Sequence, residues 1–254
     1  MKVVSIADGY EQTFWDYVNR DPLDYYFFIL DWKQRREQTK ILLAMDEKES
    51  VHGALLLYAD YVVQFRGNRE AVEKLIEYAN LEKVELQAPP ECEDIILQKY
   101  KPHVKQDLML MCLNRGEEHI QITENPVRLG VEDTGAVAGL MRRCDPEWWG
   151  DVKEENLKKS LETAFALGIK KDGRLASAGV TRFVDFAINI NMVATDEQYR
   201  NRGYATSIVS ALVQKILERS STAIIHVIAD NTPAVRTYSK VGFKPYKTYL
   251  SIRT

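Results

Sequence analysis

Cys92, Cys112 and Cys144 are the only cysteines in these 254 residues, and their spacing fits neither a disulfide framework nor a zinc motif. They read as reduced structural thiols, which points to a cytoplasmic address. Four scattered histidines give no ligand spacing, so no metal is expected. No apolar run approaches the ~20 residues of a membrane span. Asp8, Glu11 and Asp16 interrupt any signal-peptide core. Excess positive charge is also lacking. A net charge of −3 and a pI near 5.9 speak against a nucleic-acid partner, and neither nucleic acid nor membrane is expected to bind. The glycine signatures Gly-x-x-x-x-Gly-Lys-Ser/Thr and Gly-x-Gly-x-x-Gly are missing, which disfavours a nucleotide-binding protein.

What is present is ordinary globular material, 45% hydrophobic and 28% charged, enough for one large or two small domains. In the first half, residues 8–19 carry a helical pattern, and the aromatic run 25–30 reads as a strand. Further strands are expected at 40–45, 53–59 and 61–65, joined by short polar connections that suggest antiparallel hairpins. Asn68 can cap a helix that buries Ala71, Val72, Leu75, Ile76 and Ala79. A strand at 84–87, a helix opening after Pro89-Pro90 and a strand at 108–113 complete this half. The polar stretch Asn114-Arg115-Gly116-Glu117-Glu118 reads as a linker, placing domains at 1–118 and 119–254.

The second half repeats that order. An edge strand is expected within 120–129, helices at 134–143 and 153–164, and a hairpin turn at Asp172-Gly173. A strand at 187–195, a helix at 203–219, a strand at 223–229, a helix at 232–241 and a strand near 246–252 follow. The shared order suggests an internal duplication.

The most informative stretch lies between the strand at 187–195 and the helix after it. Arg200-Asn201-Arg202-Gly203-Tyr204-Ala205-Thr206 is a basic, glycine-containing turn entering a helix. Helix N-termini present unpaired N–H groups and partial positive charge, which suits phosphate. Neither Asp nor Glu occupies this first turn, although acidic residues are usual there. The corresponding turn in the first half is followed by Glu70 and Glu73, which oppose an anion.

Arg200-x-x-Gly203-x-Ala205 resembles the acyl-CoA pyrophosphate loop of the GNAT N-acetyltransferase superfamily. Asn231-x-x-Ala234-x-x-x-Tyr238-x-x-x-Gly242-Phe243 is similar to that family's second CoA-proximal motif. The resemblance covers about 125–254, and the first half resembles a degenerate GNAT-like domain. It implies an α/β (α+β) fold: a mixed, mostly antiparallel sheet flanked by helices, in two tandem copies, with CoA entering where two parallel strands splay. It also implies an acetyl-CoA-dependent N-acetyltransferase that moves an acetyl group directly to a primary amine of a small molecule, amino acid or peptide. The alternative is a non-catalytic acyl-CoA sensor or interaction protein of the same fold. A homodimer is possible.

By the resemblance, backbone N–H groups of Arg200, Asn201, Arg202, Gly203, Tyr204, Ala205 and Thr206 hold the pyrophosphate, while Val193 and Thr195 offer strand-edge backbone to the pantetheine. A backbone N–H near Val193 could serve the oxyanion. Tyr238 matches the general acid for the departing thiolate; the alternative is a tyrosine packed on the sheet. Asn231 either caps its helix or meets CoA. The expected strand carboxylate is missing: Asn189 stands there and cannot accept a proton usefully, which leaves a water relay, Asp185 or an already neutral acceptor. Asn189 and Asn191 either orient the acceptor or satisfy backbone. Trp148 and Trp149 fall where the family builds acceptor pockets, with core packing the alternative. His226, on an apolar strand, reads as a core histidine.

Overall fold

A computed structural model describes residues 1–150, 153–183 and 186–254. One succession of elements occurs twice along the chain. The first pass is β1 (Lys2–Ser5), α1 (Glu11–Val18), α2 (Tyr26–Gln34), β2 (Thr39–Met45), β3 (Val51–Tyr58), β4 (Val62–Gly67), α3 (Arg69–Leu75), β5 (Glu85–Ala88), α4 (Glu93–Lys99) and β6 (Val104–Asn114). The second is β7 (Val127–Leu129), α5 (Thr134–Cys144), the short α6 (Pro146–Trp149), α7 (Glu154–Thr163), β8 (Phe165–Lys171), β9 (Arg174–Thr181), β10 (Ile188–Thr195), α8 (Tyr204–Leu217), β11 (Thr222–Ile228), α9 (Thr232–Val241) and β12 (Lys244–Arg253).

These elements form two compact units. The first comprises Met1–Met109, Ile228–Asp230 and Lys247–Thr254; the second comprises Leu110–Val227 and Asn231–Tyr246. A division at 118/119 follows chain order. The compact units instead take the ends of β6 and β12 from opposite halves of the chain.

In the first unit the strands lie in the order β1-β2-β3-β4-β5-β12. The ladders are antiparallel except for β4 and β5, which are parallel. The crossover through α3 is the usual way to join parallel neighbours. Leu42, Leu55, Phe65, Val72, Leu75, Leu86, Ile96, Leu250 and Ile252 share one core, so apolar residues from the last strand are as much a part of it as those from β2. The aromatic run at 25–30, expected as a strand, is helix α2. Its buried residues include Phe28, Ile29 and Trp32, spaced three and four apart, so one helical face packs inward. A short apolar run carries no period that separates helix from strand, and packing decided it.

In the second unit the order is β7-β8-β9-β10-β11, with β6 beside β11. Asp172 and Gly173, both at positive φ, form the expected turn between β8 and β9. Helix α8 lies close on β9 because Gly179 has no side chain: a Cβ there would come within 2.4 Å of Ile208 Cγ2 and 2.8 Å of Leu212 Cδ1. The edge strand expected over 120–129 is confined to Val127–Leu129. The reason lies in α8, whose Ser210 Oγ accepts from Gln121 N and whose Ser207 Oγ accepts from Thr123 N, both at 3.0 Å. That backbone is satisfied by helix hydroxyls rather than by a neighbouring strand.

Candidate active site

The geometry of the second unit is set by β10. Its parallel ladder with β11 pairs Ile188 with Ala223, Asn189 with Ile224 and Ile190 with Ile225, and ends there. On its other side the antiparallel ladder with β9 passes from Ile190↔Thr181 to Met192↔Val180, so Asn191 is an extra residue, a β-bulge. A bulge bends its strand and strengthens the local twist, and here it falls where the parallel pairing stops. Beyond it, Asp196 donates its N–H to Ala176 O at 2.9 Å. By the two-residue alternation of an antiparallel ladder, Val193 and Thr195 therefore turn their N–H and C=O away from β9, toward the gap. The Thr195 side chain is held from the β9 side by Ser177 Oγ at 2.8 Å.

The turn between β10 and α8 presents backbone donors. Gly203 precedes the helix at φ 79°, no side chain caps it, and the first turn contains no acidic residue. Asn201 is also left-handed, at φ 63°. The N–H groups of Tyr204, Ala205 and Thr206 thus open the helix without an intrahelical acceptor, whereas Ser207 N already bonds Gly203 O. Exposed Arg200 folds back through Nε to Thr195 O at 3.4 Å, and Arg202 lies over the Tyr199 ring at 5.4 Å. The Tyr204 side chain is buried beneath the turn, with Lys171 Nζ 5.6 Å from its ring centre. Arg143, which drew no attention in the sequence, pairs with Asp196 at 2.9 Å. Cys144 reaches Thr195 O at 3.4 Å, and burial holds its thiol above the ordinary range, with Arg200 opposing.

The first unit shows the same positions put to other use. Asn68 Oδ1 accepts from Ala71 N at 2.9 Å, capping α3, and Glu70 sits in the first turn. The parallel ladder of β4 with β5 also ends after three pairs, at Gln64↔Gln87. Just past it stands Arg66, 2% exposed. Its guanidinium meets Asp24 at 2.7 Å, Gln64 and Gln87 at 3.4 and 3.2 Å, and the Tyr249 ring at 3.9 Å from the centroid. Tyr249 donates to Asp24 at 2.7 Å, and Lys247 pairs with the same carboxylate. That cleft is filled by protein.

In the second unit Tyr238 is 6% exposed and packs its ring edge-on to Phe243 at 6.3 Å. Its hydroxyl has no hydrogen-bond partner among the described residues, yet no fully buried polar side-chain atom among them is left unpaired. The phenol oxygen therefore keeps contact with solvent while the ring is enclosed. Burial pushes its pKa up to about 12, so it is protonated at neutral pH. Asn231 is exposed and caps α9, accepting from Ala234 N at 3.2 Å. Asn189 is buried, and its Nδ2 donates to exposed Asn191 at 2.6 Å. His226 Nδ1 lies 3.4 Å from Asn189 Oδ1, a contact that an apolar strand pattern did not disclose. Trp149 packs against the core around Val137 and Leu161. The Trp148 side chain and Asp185 lie outside the described residues. No cluster of metal-ligating side chains occurs among the described residues.

A mixed, mostly antiparallel sheet flanked by helices, built in two successive passes, is a GNAT-like fold, and the comparisons agree. The FR47-like protein family model matches residues 167–252, which include every element just described from β9 to α9. Solved structures extend the likeness across the chain. A GNAT-family acetyltransferase from Colwellia psychrerythraea superposes with a TM-score of 0.59 at 13% identity, covering 100% of this chain and 99% of its own. A GCN5-related N-acetyltransferase from Sphaerobacter thermophilus gives 0.57 at 14%, covering 90% and 84%. A tandem GNAT protein from the clavulanic acid biosynthesis pathway gives 0.54 at 12%, covering 85% and 82%. At these identities the likeness is one of fold. No curated protein matches this chain.

Proposed function

We propose that the chain is an N-acetyltransferase that uses acetyl-CoA to acetylate a primary amine, with its single cofactor site in the second unit. The observation that carries this reading is the contrast between two equivalent helix starts. Helix α3 is capped by a side chain and followed by Glu70; α8 begins on Gly203 with neither cap nor carboxylate. Three N–H groups without an intrahelical acceptor and the positive end of a helix dipole suit a pyrophosphate. Arg200, Asn201, Arg202, Gly203, Tyr204, Ala205 and Thr206 would cradle it, and the outward backbone of Val193 and Thr195 would align the pantetheine. No metal is required of this chemistry.

Binding the thioester beside an amine turns a rare encounter into a positioned reaction. The amine lone pair forms the C–N bond, and negative charge collects on the carbonyl oxygen, where the Val193 N–H can receive it. Collapse breaks the C–S bond, and Tyr238 protonates the departing sulfur. A phenol held protonated by burial suits that strongly basic group. Asn231 stabilises the start of α9, which carries Tyr238, and Asn191, exposed at the bulge, would meet the acceptor together with Trp148 and Trp149.

A second reading is favoured by one observation: Asn189 stands where a carboxylate is expected, which suits an acyl-CoA sensor without turnover. One experiment separates the two. Purified protein is mixed with acetyl-CoA and pooled primary amines, and released thiol is followed with time. Amine-dependent thiol release supports the enzyme; tight CoA binding with no release from any pool supports the sensor.

A further inference from the structure

We propose that Thr123 is a further ligand of the cofactor's pyrophosphate and that Ser207 is the positioning residue that aims its proton. The inference rests on the proposed CoA site at the start of α8 and adds to it a donor from outside the loop.

The first observation is one of place. Thr123 belongs to the stretch ahead of β7 that is fastened to α8, and its side chain is exposed. Its hydroxyl stands at the helix mouth, since a Cβ on Gly203 would come within 3.2 Å of Thr123 Oγ1. Gly203 directly precedes Tyr204, Ala205 and Thr206, whose N–H groups lack an intrahelical acceptor. The carboxylate next in the chain, that of Glu124, is countered by Lys171 Nζ at 2.9 Å.

The second observation is the direction of the hydrogen bonds. Ser207 is wholly buried. Its Oγ accepts from Thr123 N at 3.0 Å and from Glu124 N at 3.4 Å, which uses both lone pairs of a hydroxyl oxygen. The 3.2 Å contact between Ser207 Oγ and Thr123 Oγ1 therefore has one sense: Ser207 donates and Thr123 accepts. The Thr123 proton points away from Ser207 and has no acceptor among the described residues. A phosphate oxygen is an acceptor, so it suits a hydroxyl proton presented beside three open N–H groups. The third observation is the other copy. Counted from the helix start, Ser207 in α8 corresponds to Val72 in α3, which lies in the apolar core and can aim no hydroxyl. The device is present where the helix start is bare and missing where Asn68 and Glu70 close it.

The test is a set of calorimetric titrations of the full-length protein. Thr123→Val keeps the shape of an exposed side chain but removes its proton, and CoA affinity should fall ~10-fold, the low end for a hydrogen bond to a charged group. Thr123→Ser keeps the donor and should bind CoA within about two-fold of the wild type. Dephospho-CoA has the pyrophosphate but no 3′-phosphate, and it should lose the same factor in Thr123→Val. Ser207→Ala should weaken CoA binding by itself and change it no further in the Thr123→Val background, because nothing is left to aim. Thr123→Val binding CoA like the wild type, or Thr123→Ser losing as much as Thr123→Val, overturns the ligand role. A loss with CoA but not with dephospho-CoA moves the contact to the 3′-phosphate and overturns the pyrophosphate assignment. Additive losses in the double variant overturn the role of Ser207. A wild type that binds no CoA at all overturns the cofactor site itself, and this ligand with it.

Discussion

An enclosed tyrosine whose oxygen keeps contact with solvent is a residue-scale feature, and it can be tested by removing that oxygen alone. Tyr238→Phe keeps the ring and its contact with Phe243, so the fold and most of the packing survive. Loss of a general acid should reduce kcat ~10²–10⁴-fold, or ~3–5 kcal/mol of barrier. Calorimetric CoA affinity should change by less than about 1 kcal/mol. Unchanged kcat in this variant would remove Tyr238 from the chemistry. A second residue-scale expectation concerns stability. Burial pushes the Asp31 carboxyl from 3.8 up to about 6 despite Arg35, 2.9 Å away. Because the folded value is the higher, the native state holds more protons between those limits, and this group's contribution is lost as pH rises through about 6. Asp31→Asn should therefore be the more stable protein at pH 7.5, by on the order of 2 kcal/mol at ~1.4 kcal/mol per unit. The gap should close by pH 4. Denaturant melts of both proteins at the two pH values read this directly, and a gap independent of pH would contradict it.

At the scale of elements, the α8 start can be closed without disturbing its backbone. Gly203 is the wrong place for a substitution, since at φ 79° any side chain is strained whatever its charge. Ala205 lies inside the helix and is only half-buried. Ala205→Glu adds bulk and a negative charge among the open N–H groups, and a carboxylate in a first turn favours the helix itself. The variant should keep its melting temperature and lose CoA affinity at least 100-fold by titration; unchanged affinity would sink the loop assignment. The sequence disclosed this element because caps, glycines and first-turn charges act locally. It disclosed the Asn68 cap on α3 for the same reason. It misjudged α2, where aromatic strand formers are held in a helix by the burial of Phe28, Ile29 and Trp32. It also overextended β7, because the hydroxyls of Ser207 and Ser210 that claim the backbone at 121 and 123 lie more than eighty residues away. The Asn189–His226 contact was hidden in the same way: it is made across two strands, and neither strand's pattern contains it.

At the scale of the whole molecule, duplication gives the chain two equivalent clefts, and the chemistry at each decides how many ligands bind. Arg66, Asp24, Tyr249 and Lys247 occupy the first unit's cleft, so calorimetry on the intact protein should give one CoA per chain; two would refute the reading of a filled copy. The same cluster governs how far the first unit can be isolated. Tyr249, Leu250 and Ile252 are 1–2% exposed and belong to that unit, as does Thr254, whose hydroxyl bonds Val84 N and Glu82 O. A fragment of residues 1–118 lacks all of them. At ~1.5–3 kcal/mol for each large buried apolar side chain, the loss is on the order of 5 kcal/mol, comparable with the whole stability of a typical domain. Without Tyr249 and Lys247, moreover, Asp24 and Arg66 lose their enclosing partners, and the edge of β5 is bared over four residues. The fragment should therefore be unfolded or aggregated by circular dichroism and gel filtration. The same fragment with residues 247–254 joined by a flexible linker should melt cooperatively. Equal behaviour of the two fragments would show that the last strand is dispensable to the first unit.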